Sequence, residues 1–108
     1  MSEHLPYLAD GLSVQEIAQL RGPAVIDFGT NWCEHCQEAQ PIVSTVLNRH
    51  PHIQHLKFED GKGRSQGRSF KVKLWPTLIF LRDGAELARV VRPRDSNEIE
   101  QALQSISA

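Results

Sequence analysis

The chain has 108 residues, with 12 Lys+Arg against 13 Asp+Glu, a formal net charge of −1 and a hydrophobic content of 40%. One domain's worth of chain with an ordinary globular composition argues against disorder and against a two-domain arrangement. The balanced charge lacks the basic excess of a non-specific nucleic-acid binder. The longest unbroken apolar run, Leu78 to Leu81, falls far short of the about 20 residues of a transmembrane helix. The first residues, Met-Ser-Glu-His-Leu-Pro-Tyr, carry neither the basic start nor the apolar stretch of a secretory signal. The expectation is a single-domain, monomeric, cytoplasmic protein over 1–108, with no nucleic-acid and no membrane partner.

Residues 5–8 fit a short first strand. Ser13 followed three residues later by Glu16 is a capping box, and predicts a short helix to about Arg21, stopped by Gly22-Pro23. Ala24 to Gly29 is a compact apolar run that reads as a buried strand. A second helix opens within Trp32 to Cys36. Its apolar face is Ala39, Ile42, Val43, Val46 and Leu47, and His50-Pro51 ends it. Ile53 to Glu59 reads as a strand. Residues 60–69, polar and glycine-rich, predict a loop with one helical turn before Phe70. Thr77–Leu81 and Glu86–Val91 are strands joined at Asp83-Gly84, a hairpin signal. Asp95 and Glu98 form a second capping box, leading a helix with Ile99, Ala102, Leu103 and Ile106 on one face. The predicted order, β-α-β-α-β-α-β-β-α, is an α/β fold with a mixed central sheet flanked by helices.

Only two cysteines occur, and they lie within Trp32-Cys33-Glu34-His35-Cys36, directly after a buried strand and at the opening of a helix. A disulfide framework needs more cysteines, spread along the chain. A close pair in a reducing compartment points to redox chemistry or metal. The thiolate is the attacking species in disulfide exchange, and a helix N-terminus favours negative charge. Cys33 therefore reads as the attacking sulfur. Cys36, one turn on and more buried, reads as the one that resolves the mixed disulfide. Asp27 stands inside an apolar strand, where a carboxylate is costly unless it faces an edge or has a task.

The stretch Ala24-Val-Ile-Asp-Phe-Gly-Thr-Asn-Trp-Cys-Glu-His-Cys36, followed by Trp75-Pro-Thr-Leu-Ile-Phe-Leu-Arg-Asp-Gly84, resembles the thioredoxin family from about residue 8 to 106. The resemblance implies the thioredoxin-like fold and a thiol–disulfide oxidoreductase acting on disulfide-containing protein substrates. No bound cofactor is needed, because the cysteine pair itself carries two electrons. It further implies an NADPH-dependent thioredoxin reductase upstream and a cis peptide before Pro76, shaping the substrate groove beside the cysteines. Asp27 is implied as the proton acceptor and donor of Cys36, acting through water. Lys57 is implied as a cation near Asp27, Trp32 as part of the binding surface, and Pro41 as a kink in the active-site helix.

Several positions depart from the family pattern. Glu34-His35 replaces Gly-Pro between the cysteines. An imidazolium at His35 stabilises a neighbouring thiolate and makes the disulfide more oxidising, as in protein disulfide isomerase, while Glu34 opposes it. Gly29-Thr30-Asn31 stands where an aromatic and small residues are usual. Trp75 replaces Ile or Val before the proline, and Arg92 replaces a common glycine. Arg92 and Arg94 make the rim cationic, which suits a dedicated substrate with an acidic flank. Isomerase or oxidant function tuned by His35 is the nearest alternative to a reductase.

Two other classes remain open on the sequence. Cys33-x2-Cys36-x13-His50-x4-His55 fits a zinc spacing in letters, but Pro51 separates the histidines. A non-catalytic interaction module with an idle Cys-x-x-Cys is the other. The basic stretch Lys62, Arg64, Arg68, Lys71, Lys73 reads as a solvated loop and has no phosphate-loop spacing. No metal ligand set is assigned.

Overall fold

A computed structural model describes residues 6–9 and 11–107. The elements in chain order are α1 (Val14–Ala18), β1 (Pro23–Gly29), α2 (Glu34–Leu47), β2 (Gln54–Glu59), α3 (Ser65–Ser69), β3 (Thr77–Arg82), β4 (Ala85–Val91) and α4 (Ser96–Ile106). Both capping boxes form. The Ser13 hydroxyl accepts from the Glu16 N–H at 3.1 Å while the Glu16 carboxylate accepts from the Ser13 N–H at 2.9 Å. Asp95 and Glu98 make the same exchange at the start of α4. Each box satisfies donors that a helix start leaves orphaned.

The sheet order is β2-β1-β3-β4. β1 runs parallel to β2 and antiparallel to β3, and β3 is antiparallel to β4. Asp83 (φ 51°) and Gly84 (φ 81°) form the predicted tight turn of the β3–β4 hairpin. Two positive-φ residues in succession match the twist of the flanking strands. Side chains alternate along β1. Ala24, Ile26 and Phe28 join Ile17 of α1, Phe58, Ile79 and Leu81 on one face, with Phe70 after α3 packed against them. Val25 joins Leu78 and Phe80 on the other face, under α2 and α4. Ile99, Ala102, Leu103 and Ile106, the predicted inner face of α4, are all buried there. So are Ala39, Val43, Val46 and Leu47 of α2, with Ile42 partly buried at its margin.

α1 stops at Ala18 rather than at about Arg21, because the Gln19 and Leu20 N–H groups bond three residues back, to Glu16 and Ile17. Three other predicted segments also differ in detail, each for a physical reason. The expected strand at 5–8 is a single bridge, in which Leu8 N–H donates to Lys57 O (3.0 Å) and Leu8 O accepts from Glu59 N–H (2.8 Å). Extending that ladder two residues back needs an N–H at position 6, and Pro6 has none. Residue 5 lies outside the described residues. α2 ends at Leu47 rather than at His50, because the Arg49 and His50 N–H groups bond three residues back, to Val46 and Leu47, and tighten the last turn. The predicted turn within 60–69 is α3, whose Gly67 sits against the Asp60 carboxylate where a Cβ would collide. Pro41 lies inside α2.

Candidate active site

β1 delivers the chain to the edge of α2 at Gly29, and Cys33 takes the N-cap position of the helix (φ −79°, ψ 124°). Its Sγ accepts from the Cys36 N–H at 3.4 Å. A sulfur in that position receives an orphan helix donor and sits at the positive end of the helix dipole. Cys33 keeps 8% of its surface exposed against 1% for Cys36, and both are free thiols. Burial pushes the Cys36 thiol up to about 12. One helical turn thus holds a sulfur presented at the helix end and a second, reluctant to ionise, directly beneath it.

The rim comes from three further segments. Trp32 is 70% exposed and meets Trp75 edge-on, ring centroids 5.7 Å apart. Trp75 packs against the cysteine cluster, and its Nε1 donates to Asp60 Oδ2 at 2.8 Å. The Trp75–Pro76 peptide is cis, and Pro76 is buried. Arg92 has φ 50°, the left-handed backbone that glycine adopts without strain. Its N–H donates to Pro76 O at 2.9 Å and its Nε to Trp75 O at 2.8 Å. A groove of about 440 Å³ runs along this edge, lined by His35, Glu38, Ala39, Ile42, Arg92 and Arg94 among others. His35 and Glu34 are exposed, and His35 Nδ1 lies 3.9 Å from Glu38 Oε1. Glu38 is therefore a second carboxylate within reach of His35, beyond the Glu34 that the sequence sets against it.

Beneath the cysteines lies a polar cluster. Alternation puts Asp27 and Gly29 on the α2 face of β1, and the parallel register sets Lys57 beside Asp27. Asp27 is wholly buried, and burial holds its carboxyl up to about 6. A hydrogen bond from Tyr7 and the charge of Lys57 pull it partly back. That bond, Tyr7 OH to Asp27 Oδ1, is 2.7 Å. Burial also presses the Lys57 ammonium down, against the attraction of Asp27. Lys57 Nζ sits 4.3 Å above the Tyr7 ring centre, a cation–π contact. Gln40 Nε2 donates to the Tyr7 oxygen at 3.3 Å. Where the resemblance implies water between Asp27 and Cys36, the structure packs Tyr7 against Cys36 with its hydroxyl bonded to Asp27.

Sequence alone does not single out Tyr7 and Gln40. The available signal is indirect: an aromatic missing at Gly29, and a lone tyrosine near the N-terminus. The two histidines of the zinc spacing are dispersed. His50 lies past the far end of the 14-residue α2, about 20 Å of helix from the cysteines, and pairs with Glu100 at 3.1 Å. His55 is on β2, its Nε2 buried without a hydrogen-bond partner among the described residues. Of the basic stretch, Arg64 pairs with Glu59 at 2.8 Å.

The thioredoxin family profile matches residues 10–105. Thioredoxin 2 of Pseudomonas aeruginosa PAO1, solved in its reduced form, is 50% identical, with 96% of each chain covered and a TM-score of 0.86. Thioredoxin Asp f 28 of Aspergillus fumigatus is 29% identical over 87 residues, 81% of either chain. Thioredoxin H-type 1 of Nicotiana tabacum is 30% identical over 79 residues, 73% of this chain and 62% of that one. Members of this family act on disulfide-bonded proteins and are generally reduced by a thioredoxin reductase. With its cysteines held one helical turn apart at the start of α2, in the fold those relatives share, this chain belongs to the thioredoxin family and is a thiol–disulfide oxidoreductase.

Proposed function

We propose that this protein is a cytoplasmic disulfide reductase, acting as a monomeric single domain and recharged by an NADPH-dependent thioredoxin reductase. The observation that carries the chemistry is the pair of sulfurs in unlike settings, Cys33 as helix N-cap and Cys36 buried below it. The Cys33 thiolate attacks one sulfur of a substrate disulfide, and the substrate's other sulfur leaves as thiolate. Cys36, deprotonated, then attacks Cys33 Sγ, the Cys33–substrate bond breaks, and the second substrate thiolate departs. The substrate gains two electrons and the Cys33–Cys36 dithiol loses them, so no cofactor enters.

Asp27 receives the Cys36 proton, for which a carboxyl held near 6 in a buried site is suited. Lys57 keeps that carboxyl from rising further. Trp32, Trp75 and Pro76 form the surface on which an extended substrate segment lies, and Arg92 with Arg94 favours an acidic flank on it. Glu34 and His35 set the potential. Both are exposed, and exposed charges are worth at most about 1 kcal/mol, about 20 mV for a two-electron couple. Glu38 beside His35 adds a second carboxylate to this rim, which supports reductase over oxidant.

The test is a redox equilibrium titration against glutathione, read by tryptophan fluorescence, with Cys36→Ser as control. A midpoint well below the glutathione pool is the expected result. A midpoint near or above it would turn the reading to isomerase or oxidant. No cysteine-dependent transition would leave the interaction-module reading in its place.

A further inference from the structure

Asp27 is completely buried, and its neighbours Tyr7 and Lys57 line a cavity together with Cys36. That cavity, of about 280 Å³, is also lined by Gln40 and by Asn31. The Tyr7 hydroxyl donates to Asp27 Oδ1 at 2.7 Å and accepts from Gln40 Nε2 at 3.3 Å, and its ring packs in one cluster with Cys36 and Cys33. Its oxygen has two lone pairs, so Cys36 S–H can occupy the one that Gln40 leaves. Three features hold the phenol there. Asn31 grips the Tyr7 backbone from both sides, accepting from its N–H at 2.8 Å and donating to its carbonyl at 3.3 Å. Leu8 is bonded into the edge of β2. Gly29 leaves the space: a Cβ at Gly29 would come within 2.5 Å of Cys36 Sγ and 2.8 Å of the Tyr7 hydroxyl oxygen.

We infer that Tyr7 is a catalytic residue of the resolving step, its hydroxyl relaying the proton of Cys36 to Asp27. The inference rests on Asp27 being the proton acceptor. In the dithiol state Cys36 S–H points at the Tyr7 oxygen and Tyr7 O–H at Asp27 Oδ1. As Cys36 turns to attack Cys33 Sγ, its proton passes to the Tyr7 oxygen and the Tyr7 proton passes to the carboxylate. Asp27, now neutral, donates back to the Tyr7 oxygen, and the Tyr7 O–H points at the thiolate. No net charge is left on the phenol. Burial and the neighbouring Asp27 push its ionisation far above the working range, so it serves as a conduit rather than an acid in its own right. The charged and titratable groups facing this chain are Asp27 on β1, Lys57 on β2, and Cys33 and Cys36 at the start of α2.

The test separates the two steps. Attack by Cys33 is timed by stopped flow in a Cys36→Ser background, and resolution by release of a chromogenic thiol from the mixed disulfide in the protein with both cysteines. Tyr7→Phe keeps the ring and the Lys57 contact but removes the conduit. The expected result at pH 7 is resolution slowed about tenfold or more, within the range for general acid–base catalysis, and attack changed less than twofold. The double variant Tyr7→Phe/Asp27→Asn is expected to resolve no more slowly than Asp27→Asn alone, since both cut one chain. If Asp27→Asn slows resolution and Tyr7→Phe does not, the relay fails while the Asp27 reading stands. If neither slows it, both fail. If Tyr7→Phe slows both steps alike, the phenol is structural and the relay fails.

The chain has a single tyrosine, so fluorotyrosine incorporated throughout labels Tyr7 alone and tests the intact protein. Its fluorine resonance is expected to titrate with Asp27 in the reduced protein and to lose that transition in Asp27→Asn. A resonance that does not move overturns the contact on which the relay depends.

Discussion

Replacing Asp27 by asparagine isolates one buried electrostatic cost, that of a wholly buried carboxyl. The carboxyl moves from an ordinary 3.8 to about 6 on folding, because desolvation outweighs the Tyr7 hydrogen bond and the Lys57 charge. The folded state therefore binds this proton more tightly than the unfolded chain. The stabilisation from the protonated group is complete below pH 4 and is lost as pH rises through about 6. A shift of about two pH units corresponds to about 3 kcal/mol at pH 7. An asparagine at this position cannot ionise, so the Asp27→Asn variant should gain on the wild type by about 2–3 kcal/mol between pH 4 and pH 7. A constant offset is expected too. Oδ2 of Asp27 has no hydrogen-bond partner among the described residues, and an amide donor placed there costs about 1–3 kcal/mol whatever the pH. The quantity to measure is thus the change of the stability difference with pH, from urea unfolding of both reduced proteins at pH 4, 5, 6, 7 and 8. A difference that stays flat across that range would refute the burial argument, and with it the case for Asp27 as a proton acceptor poised near neutrality.

His55 works in the opposite sense within the same window. Burial lowers it from 6.5 to about 4, so the unfolded chain takes up its proton first and stability falls as pH drops from 6.5 to 4. Discounted for partial solvent access, His55→Leu should gain about 2 kcal/mol on the wild type between pH 7.5 and pH 4 in the same urea series, and no gain would show that the ring is hydrated. Gly29→Ala should cost about 1–3 kcal/mol by overpacking, because the new methyl meets both Cys36 Sγ and the Tyr7 ring; an unchanged urea midpoint would mean that Tyr7 moves aside freely. Arg92→Gly should reduce the preference for peptide disulfides with an acidic flank over those with a basic one by about threefold or more. It should also weaken the dependence of kcat/KM on salt. An unchanged ranking of several disulfide substrates would remove Arg92 from the specificity reading.

The elements are legible where local chemistry decides them. The two capping boxes, the Asp83-Gly84 turn and the helical spacing of Ile99, Ala102, Leu103 and Ile106 are set by neighbours in sequence, and the structure places each as read. Cys33 and Cys36 are legible for the same reason, since strand, turn and helix start are consecutive. Legibility stops where a contact joins distant segments. Pro6 shortens the first strand only because Leu8 pairs with β2, and Arg92 reaches the carbonyl of Trp75 across 17 positions.

Tyr7 shows most plainly what a sequence reading leaves out. Gly29 and Asn31 read in the chain as separate departures from the family pattern, and Tyr7 is not singled out at all. In space they form one substitution. The aromatic that β1 does not supply at position 29 is supplied from the N-terminal segment, Asn31 holds that segment by its backbone, and the missing side chain at Gly29 is the room the phenol occupies. The exchange also changes chemistry. The phenol arriving from this direction brings a hydroxyl onto a buried carboxylate, with its ring packed against a buried thiol. Restoring an aromatic at position 29 without removing Tyr7 would place two rings in one site. The three positions are therefore expected to change together or not at all, and the energetic coupling among them is measurable by double-mutant cycles.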